Sequence, residues 1–137
     1  MKELTLEATP ENIDTVIAFV EEQLEEYGCG MKEQMAIETA VDELFTNIAE
    51  YAYDPETGYA TVRVDVLKEP LSVEVTFIDH GRQYDPLAHT DPDTTLSIED
   101  RPIGGLGILI VKKSMDVVNY EYKDGKNILT IKKKIQS

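Results

Sequence analysis

The sequence predicts an α+β fold, a two-layer α/β sandwich with helices on one face of a mainly antiparallel sheet. Three observations carry this expectation. Two long N-terminal stretches place apolar residues at three- and four-residue spacing, the mark of helices with one buried face. Five other stretches alternate apolar and polar residues, as half-buried strands do. Short turn signals join most of those strands in pairs, so they connect as hairpins rather than through crossovers. The resulting order is strand, helix, helix, two strands, a long loop, helix, two strands.

Each element has its own reason. Lys2–Ala8 alternates, with Leu4 and Leu6 on one face. Thr9-Pro10 predicts a helix start, with Thr as N-cap and Pro in the first helical position. Ile13, Val16, Ile17, Val20, Leu24 and Tyr27 then form one helical face, and Gly28 ends it. The spacing predicts a second helix over 32–52, its stripe being Ile37, Val41, Leu44, Phe45, Ile48 and Ala52. These fall within a sector of about 100°, the width of a core-facing stripe. A turn at 54–58 leads to Val62, Val64 and Val66 on one side of a strand. After Lys68-Glu69-Pro70, the next strand carries Leu71, Val73, Val75 and Phe77. Residues 87–103 lack periodicity, and loops of that length in a compact domain are usually functional lids or disordered. Gly104-Gly105-Leu106-Gly107 opens a third helix, read through ILIVKKSMDVV. Tyr120–Lys123 and Asn127–Ile135 flank Asp124-Gly125, a strong hairpin-turn signal.

Composition narrows the function classes. The 137 residues read as one domain over 1–137, with 42% hydrophobic and 29% charged residues. A single cysteine, Cys29, cannot staple the fold, and a reducing, cytoplasmic compartment is expected. No apolar run reaches the roughly 18 residues of a membrane span. The net charge of −14 repels nucleic-acid backbones and anionic membranes, so neither is an expected partner. A polyphosphate ligand would need local help from a metal ion, glycine backbone N–H groups or placed cations.

Three short motifs have chemical content, and each has a bland alternative. Glu43 and Asn47 share a helix face away from the apolar stripe. They read either as a solvated polar pair or as a carboxylate and a hard amide ligand pointing into a site. FIDHGRQYDP, residues 77–86, ends a strand in a carboxylate followed by glycine. It reads as an Asx-type turn, or as a pocket floor where Asp79 accepts from a ligand amino group and Gly81 admits a flat ring. The glycines at 104, 105 and 107 read as a hinge, or as an anion cradle at a helix N-terminus. His80 and His89 read as surface residues, and no Ser/His/Asp pattern suggests a hydrolase.

Taken in order, these motifs are far more specific than any one of them. ETAVDELFTNIAEYAY resembles the N box of the GHKL ATPase superfamily, FIDHGRQYDP its compact G1 box, and RPIGGLGILIVKKSMD its G2 box. Within that superfamily the chain looks like the small bacterial anti-sigma-factor serine/threonine kinases. The closing VVNYEYKDGKNILTIKKKI fits the last two strands of their histidine-kinase-like ATPase domain, the Bergerat ATP-binding fold. The resemblance covers nearly the whole chain.

It implies a set of roles. Asn47 would coordinate a Mg2+ ion on the phosphates of ATP (or ADP). Glu43 would orient or deprotonate the attacking hydroxyl. Asp79 would accept from the adenine amino group, with Gly81 letting the ring lie close. Gly104, Gly105, Leu106 and Gly107 would cradle the phosphates beneath a short lid over 87–103. Arg101 and Lys112, beside the glycines, are candidates for offsetting phosphate charge. The implied partners are an anti-sigma-factor antagonist protein, phosphorylated on serine, and a sigma factor competing for the same surface, with the kinase a homodimer. One position departs: such kinases often carry a histidine four residues after the asparagine, where this chain has Tyr51. That departure motivates an alternative, a nucleotide-gated protein-binding module with little or no kinase activity.

Overall fold

A computed structural model describes residues 1–53, 56–68, 71–88 and 105–135. Strand β1 (Lys2–Glu7) leads through a 3-10 turn (Pro10–Asn12) into α1 (Ile13–Glu26) and α2 (Met31–Asn47). A π-helical turn (Ile48–Ala52) extends α2, and β2 (Tyr59–Leu67) and β3 (Ser72–Asp79) follow. A 3-10 turn (Pro86–Ala88), α3 (Gly105–Ser114), β4 (Val117–Lys123) and β5 (Lys126–Lys134) complete the order. The strands form one sheet in the order β1-β2-β3-β5-β4, and every neighbouring pair is antiparallel. The predicted α+β architecture, an antiparallel sheet with three helices, is the one observed.

The core follows from the apolar periodicities. Val16, Val20 and Leu24 of α1, and Ile37, Val41, Leu44 and Phe45 of α2, are buried against alternate residues of the sheet. The sheet contributes Val62 and Val64 from β2, Val73, Val75 and Phe77 from β3, and Leu129 and Ile131 from β5. Alternation makes residues two apart share a face. The inward row of β3 therefore continues from Val73, Val75 and Phe77 to Asp79, and that of β5 reaches back from Ile131 and Leu129 to Asn127. Asp79 and Asn127 are register partners, and both are buried. The apolar floor of the sheet thus ends in a pair of polar side chains.

Four details differ from the sequence reading. Thr9 does precede Pro10, but its side chain caps nothing; the chain passes through the 3-10 turn first, where Asn12 Nδ2 donates to Glu7 O at 2.8 Å. Tyr27 lies beyond the end of α1 and is 41% exposed, so it leaves the core face, while Gly28 takes φ +69 as the helix stop. The predicted helix over 32–52 is α-helical only to Asn47 and widens into the π-helical turn, a feature that often marks functional sites. The third helix starts within the glycine cluster and stops at Ser114. Val117 and Val118 belong to β4, because Asp116 N–H donates to Lys132 O at 2.9 Å and Asp116 Oδ2 accepts from Lys134 N–H at 2.7 Å. The final turn is as expected: Asp124 and Gly125 have φ +54 and +76, the two left-handed positions of a tight hairpin.

Candidate functional site

Between the C-terminal end of α2 and the ends of β3 and β5 lies a pocket. Its walls include Leu44, Asn47, Ile48, Tyr51 and Ala52 from the helix side. Phe77, Asp79, Leu129 and Asn127 come from the sheet, and Arg82, Tyr84 and Pro86 from the segment after β3. Most of this lining is apolar, with a few polar groups at the sheet end, the usual pattern of a small-molecule site. The π-helical turn positions the helical wall. It presents Ile48, Tyr51 and Ala52 to the pocket along with Leu44 and Asn47.

Asp79 is the most constrained charge in this wall. It is 4% exposed, and burial raises its pKa above the ordinary carboxylate value. Hydrogen bonds from Asn127 and Gly81, and the nearby His80, pull the other way and favour the ionised form. Gly81 N–H and Asn127 Nδ2 donate to the same oxygen, Oδ1, at 2.9 and 3.0 Å. Among the described residues neither donates to Oδ2. A buried carboxylate that lines a pocket and has acceptor capacity beyond two hydrogen bonds is a strong acceptor for a donor brought by a ligand.

Asn127 was read from sequence only as a strand residue after a turn, yet it is the hub of this corner. Besides Asp79 it donates to Arg82 O at 2.8 Å and accepts from Tyr84 N–H at 3.1 Å and from the Tyr120 hydroxyl. A signal was present: an amide at an inward position of an otherwise apolar alternation (127, 129, 131) needs buried partners. Tyr53 is a second residue the sequence reading passed over. Its hydroxyl donates to Tyr59 O at 2.6 Å and accepts from His80 N–H at 2.8 Å, tying the helix end to β2 and to the β3 exit.

Gly81 has a structural reason to lack a side chain besides the expected one. A Cβ there would overlap the carbonyl of Ala52, while the next residue, Arg82, donates its N–H to that carbonyl at 3.0 Å. The β3 exit thus seals one of the unpaired carbonyls at the helix C-terminus. The close neighbour of Gly81 is backbone.

Asn47 and Asp79 line the same pocket. Glu43, one turn earlier on α2, lies against α3 instead: a Cβ on Gly107 would overlap its carboxylate group. Gly107 is in the first helical turn, where N–H groups lack intrahelical acceptors. Burial, and then repulsion from Asp42 and Glu50, raise the Glu43 pKa above the ordinary value, which suits a proton acceptor that must work near neutrality. Gly105 and Leu106 begin α3. Arg101, Gly104 and nearly all of the predicted lid lie outside the described residues. Lys112 Nζ donates to Leu87 O in the segment after β3, at 3.4 Å.

The donor set also bears on a metal. Among the described residues no group of three His, Cys, Asp or Glu side chains could hold one. The amide of Asn47 is a single hard oxygen ligand at the pocket wall. That suits Mg2+, which is commonly held by one or two protein ligands together with substrate phosphates and water.

The profile of the histidine kinase-like ATPase domain matches residues 6–133. A serine/threonine-protein kinase of Bordetella bronchiseptica, BtrW, is 30% identical over 91 residues, covering 66% of this chain and 63% of that protein. An anti-sigma F factor of Caldanaerobacter subterraneus subsp. tengcongensis is 30% identical over 116 residues, covering 84% of this chain and 77% of that protein. Among solved structures, that of the RsbU and RsbW domains of Rv1364c from Mycobacterium tuberculosis superposes with a TM-score of 0.67. It covers 98% of this chain and 33% of that one at 19% identity, a likeness of fold.

Proposed function

The chain belongs to the histidine kinase-like ATPase domain family, and from that premise we propose that it is an ATP-dependent protein-serine kinase of the anti-sigma-factor type. The observation that carries the reading is the buried Asp79. Its Oδ1 is held by Gly81 and Asn127, and Asp79 lines the pocket that Asn47 shares. In this reading Oδ2 accepts from the 6-amino group of adenine, and the apolar walls at Leu44, Ile48 and Leu129 cover the ring. Two relatives bear names of the same kind, a serine/threonine-protein kinase and an anti-sigma F factor.

The phosphates then extend toward the first turn of α3. The N–H groups there, on residues without bulky side chains at 105 and 107, receive the negative charge. Arg101 and Gly104 join this cradle in the same reading. Asn47 would hold Mg2+, which supplies neutralisation of phosphate charge when bound. Glu43 accepts the proton of the attacking serine hydroxyl, or orients it. Phosphoryl transfer asks mainly for positioning and charge compensation, so this small set is sufficient.

The substrate in this proposal is a serine of a small antagonist protein, with a sigma factor as the competing partner and a homodimer as the working form. In this proposal the chain acts in the cytoplasm. No helix among the described residues is long and apolar enough to cross a membrane. The test is direct: the purified chain, γ-labelled ATP and the antagonist should yield label on an antagonist serine. One observation favours a second reading. Tyr51 lines the pocket where related kinases often place a histidine, and burial and neighbouring Glu50 raise its pKa, so it stays a neutral phenol. A module that binds its partner in a nucleotide-dependent way, without transfer, would bind ATP equally well and label nothing.

A further inference from the structure

We propose that Asn127 is a positioning residue that fixes the Asp79 carboxylate and thereby sets how strongly the pocket discriminates 6-amino from 6-oxo purines. The inference rests on the nucleotide-binding reading above and concerns a residue outside the motifs that led to it.

A side-chain amide has two N–H donors and an oxygen that accepts two bonds. In Asn127 all four are used: the donors go to Asp79 Oδ1 and Arg82 O, and the oxygen receives Tyr84 N–H and the Tyr120 hydroxyl. The orientation is forced. Turned over, the amide would set its oxygen against a carboxylate and a carbonyl, and its NH2 against the Tyr84 N–H. Asn127 is also 6% exposed, so water cannot replace a lost partner cheaply.

Two consequences follow. With no donor or acceptor left over, Asn127 makes no hydrogen bond of its own to a ligand and acts through the groups it holds, Asp79 first among them. And because Asn127 and Gly81 N–H grip one oxygen from two directions, the carboxylate plane is held and the second oxygen is a fixed acceptor. Adenine presents an amino donor to that oxygen. Hypoxanthine presents a carbonyl, and two acceptors face each other. Gly81 alone would let the carboxylate swing, weakening the bond to adenine and relieving the clash with a 6-oxo ring. The same amide also holds Arg82 O and Tyr84 N–H, so the pocket wall after β3 is fixed together with its acceptor.

The experiment titrates the full chain with Mg-ATP and Mg-ITP by calorimetry, for the wild type, Asn127→Leu and Tyr120→Phe. Leucine keeps the shape of asparagine and removes all four bonds. In Asn127→Leu, ATP should bind about tenfold more weakly, the scale of a lost bond to a charged group. ITP should change little, so the ATP-to-ITP preference shrinks by about the same factor. Tyr120→Phe, which removes one hydroxyl, should shrink it by about two- to fivefold. A merely structural role would weaken both nucleotides equally, and that result, or an unchanged preference, overturns the proposal. If Asn127→Leu does not fold, Tyr120→Phe decides, and a preference equal to the wild type's overturns it. A wild type that binds neither nucleotide removes the nucleotide-binding reading itself, which a changed preference could not do.

Discussion

Asp79→Asn separates two roles that most buried-charge mutations confound. The substituted amide keeps an oxygen in the place of Oδ1, so the bonds from Gly81 N–H and Asn127 Nδ2 survive. What changes is the second atom, from an ionised acceptor to an NH2 donor facing the adenine amino group. A hydrogen bond to a charged group contributes about 1.5–3 kcal/mol, so ATP affinity should fall roughly 10- to 150-fold, or further where two donors meet. Stability should move the other way. Burial raises the Asp79 pKa in the folded chain, so between the unfolded and folded values the native state holds more protons than the unfolded one. The stability from this group is therefore fully present below the unfolded pKa and is lost as pH rises through the folded pKa. Asparagine does not titrate, so the ligand-free variant should gain relative to wild type on going from about pH 3 to pH 7. Calorimetric titration with ATP and denaturant melts at the two pH values read both effects. Unchanged ATP affinity would refute the acceptor role, and a variant whose stability relative to wild type falls on going from pH 3 to pH 7 would refute the burial argument.

Glu43→Gln should bind ATP within about twofold of wild type and lose nearly all phosphoryl transfer, because the amide keeps the shape against Gly107 but cannot take a proton; single-turnover transfer beside a binding titration separates the two. Gly81→Ala should destabilise the chain by about 1–3 kcal/mol, since its Cβ meets a backbone carbonyl that cannot step aside. Gly107→Ala meets only the end of a flexible side chain, so its melting point should stay near wild type while displacement of Glu43 slows transfer. Tyr53→Phe removes bonds to Tyr59 O and from His80 N–H and should cost about 1–3 kcal/mol by urea denaturation.

The strands and helices were legible because burial writes its period into the chain. Val73, Val75 and Phe77 predict one face, and the next residue in that row is Asp79. What the row alone does not say is what lies opposite. β5 sits beside β3, and β4 at the edge, only because α3 carries the chain across before the last hairpin. That non-local step brings Asn127 into register with Asp79, and no local pattern records it. The π-helical turn was hidden for a similar reason. Ile48 and Ala52 fit an α-helical stripe, and one extra residue in a turn shifts direction without breaking the apolar spacing. The missing side chain of Gly81 also makes room for Ala52 O, a neighbour that sequence separation conceals. Glu43 and Asn47 share a helix face as their spacing requires, yet only Asn47 reaches the pocket, because α3 packs against the turn that carries Glu43.

The central claim is that this pocket delivers the γ-phosphate of ATP to a serine of a partner protein. The most direct test incubates the purified chain with Mg2+, γ-labelled ATP and the small antagonist protein, beside the Glu43→Gln variant. The expected result is label on a partner serine with the wild type and almost none with the variant. Tight ATP binding with no label on the partner would contradict the kinase and leave a nucleotide-gated binding module in its place.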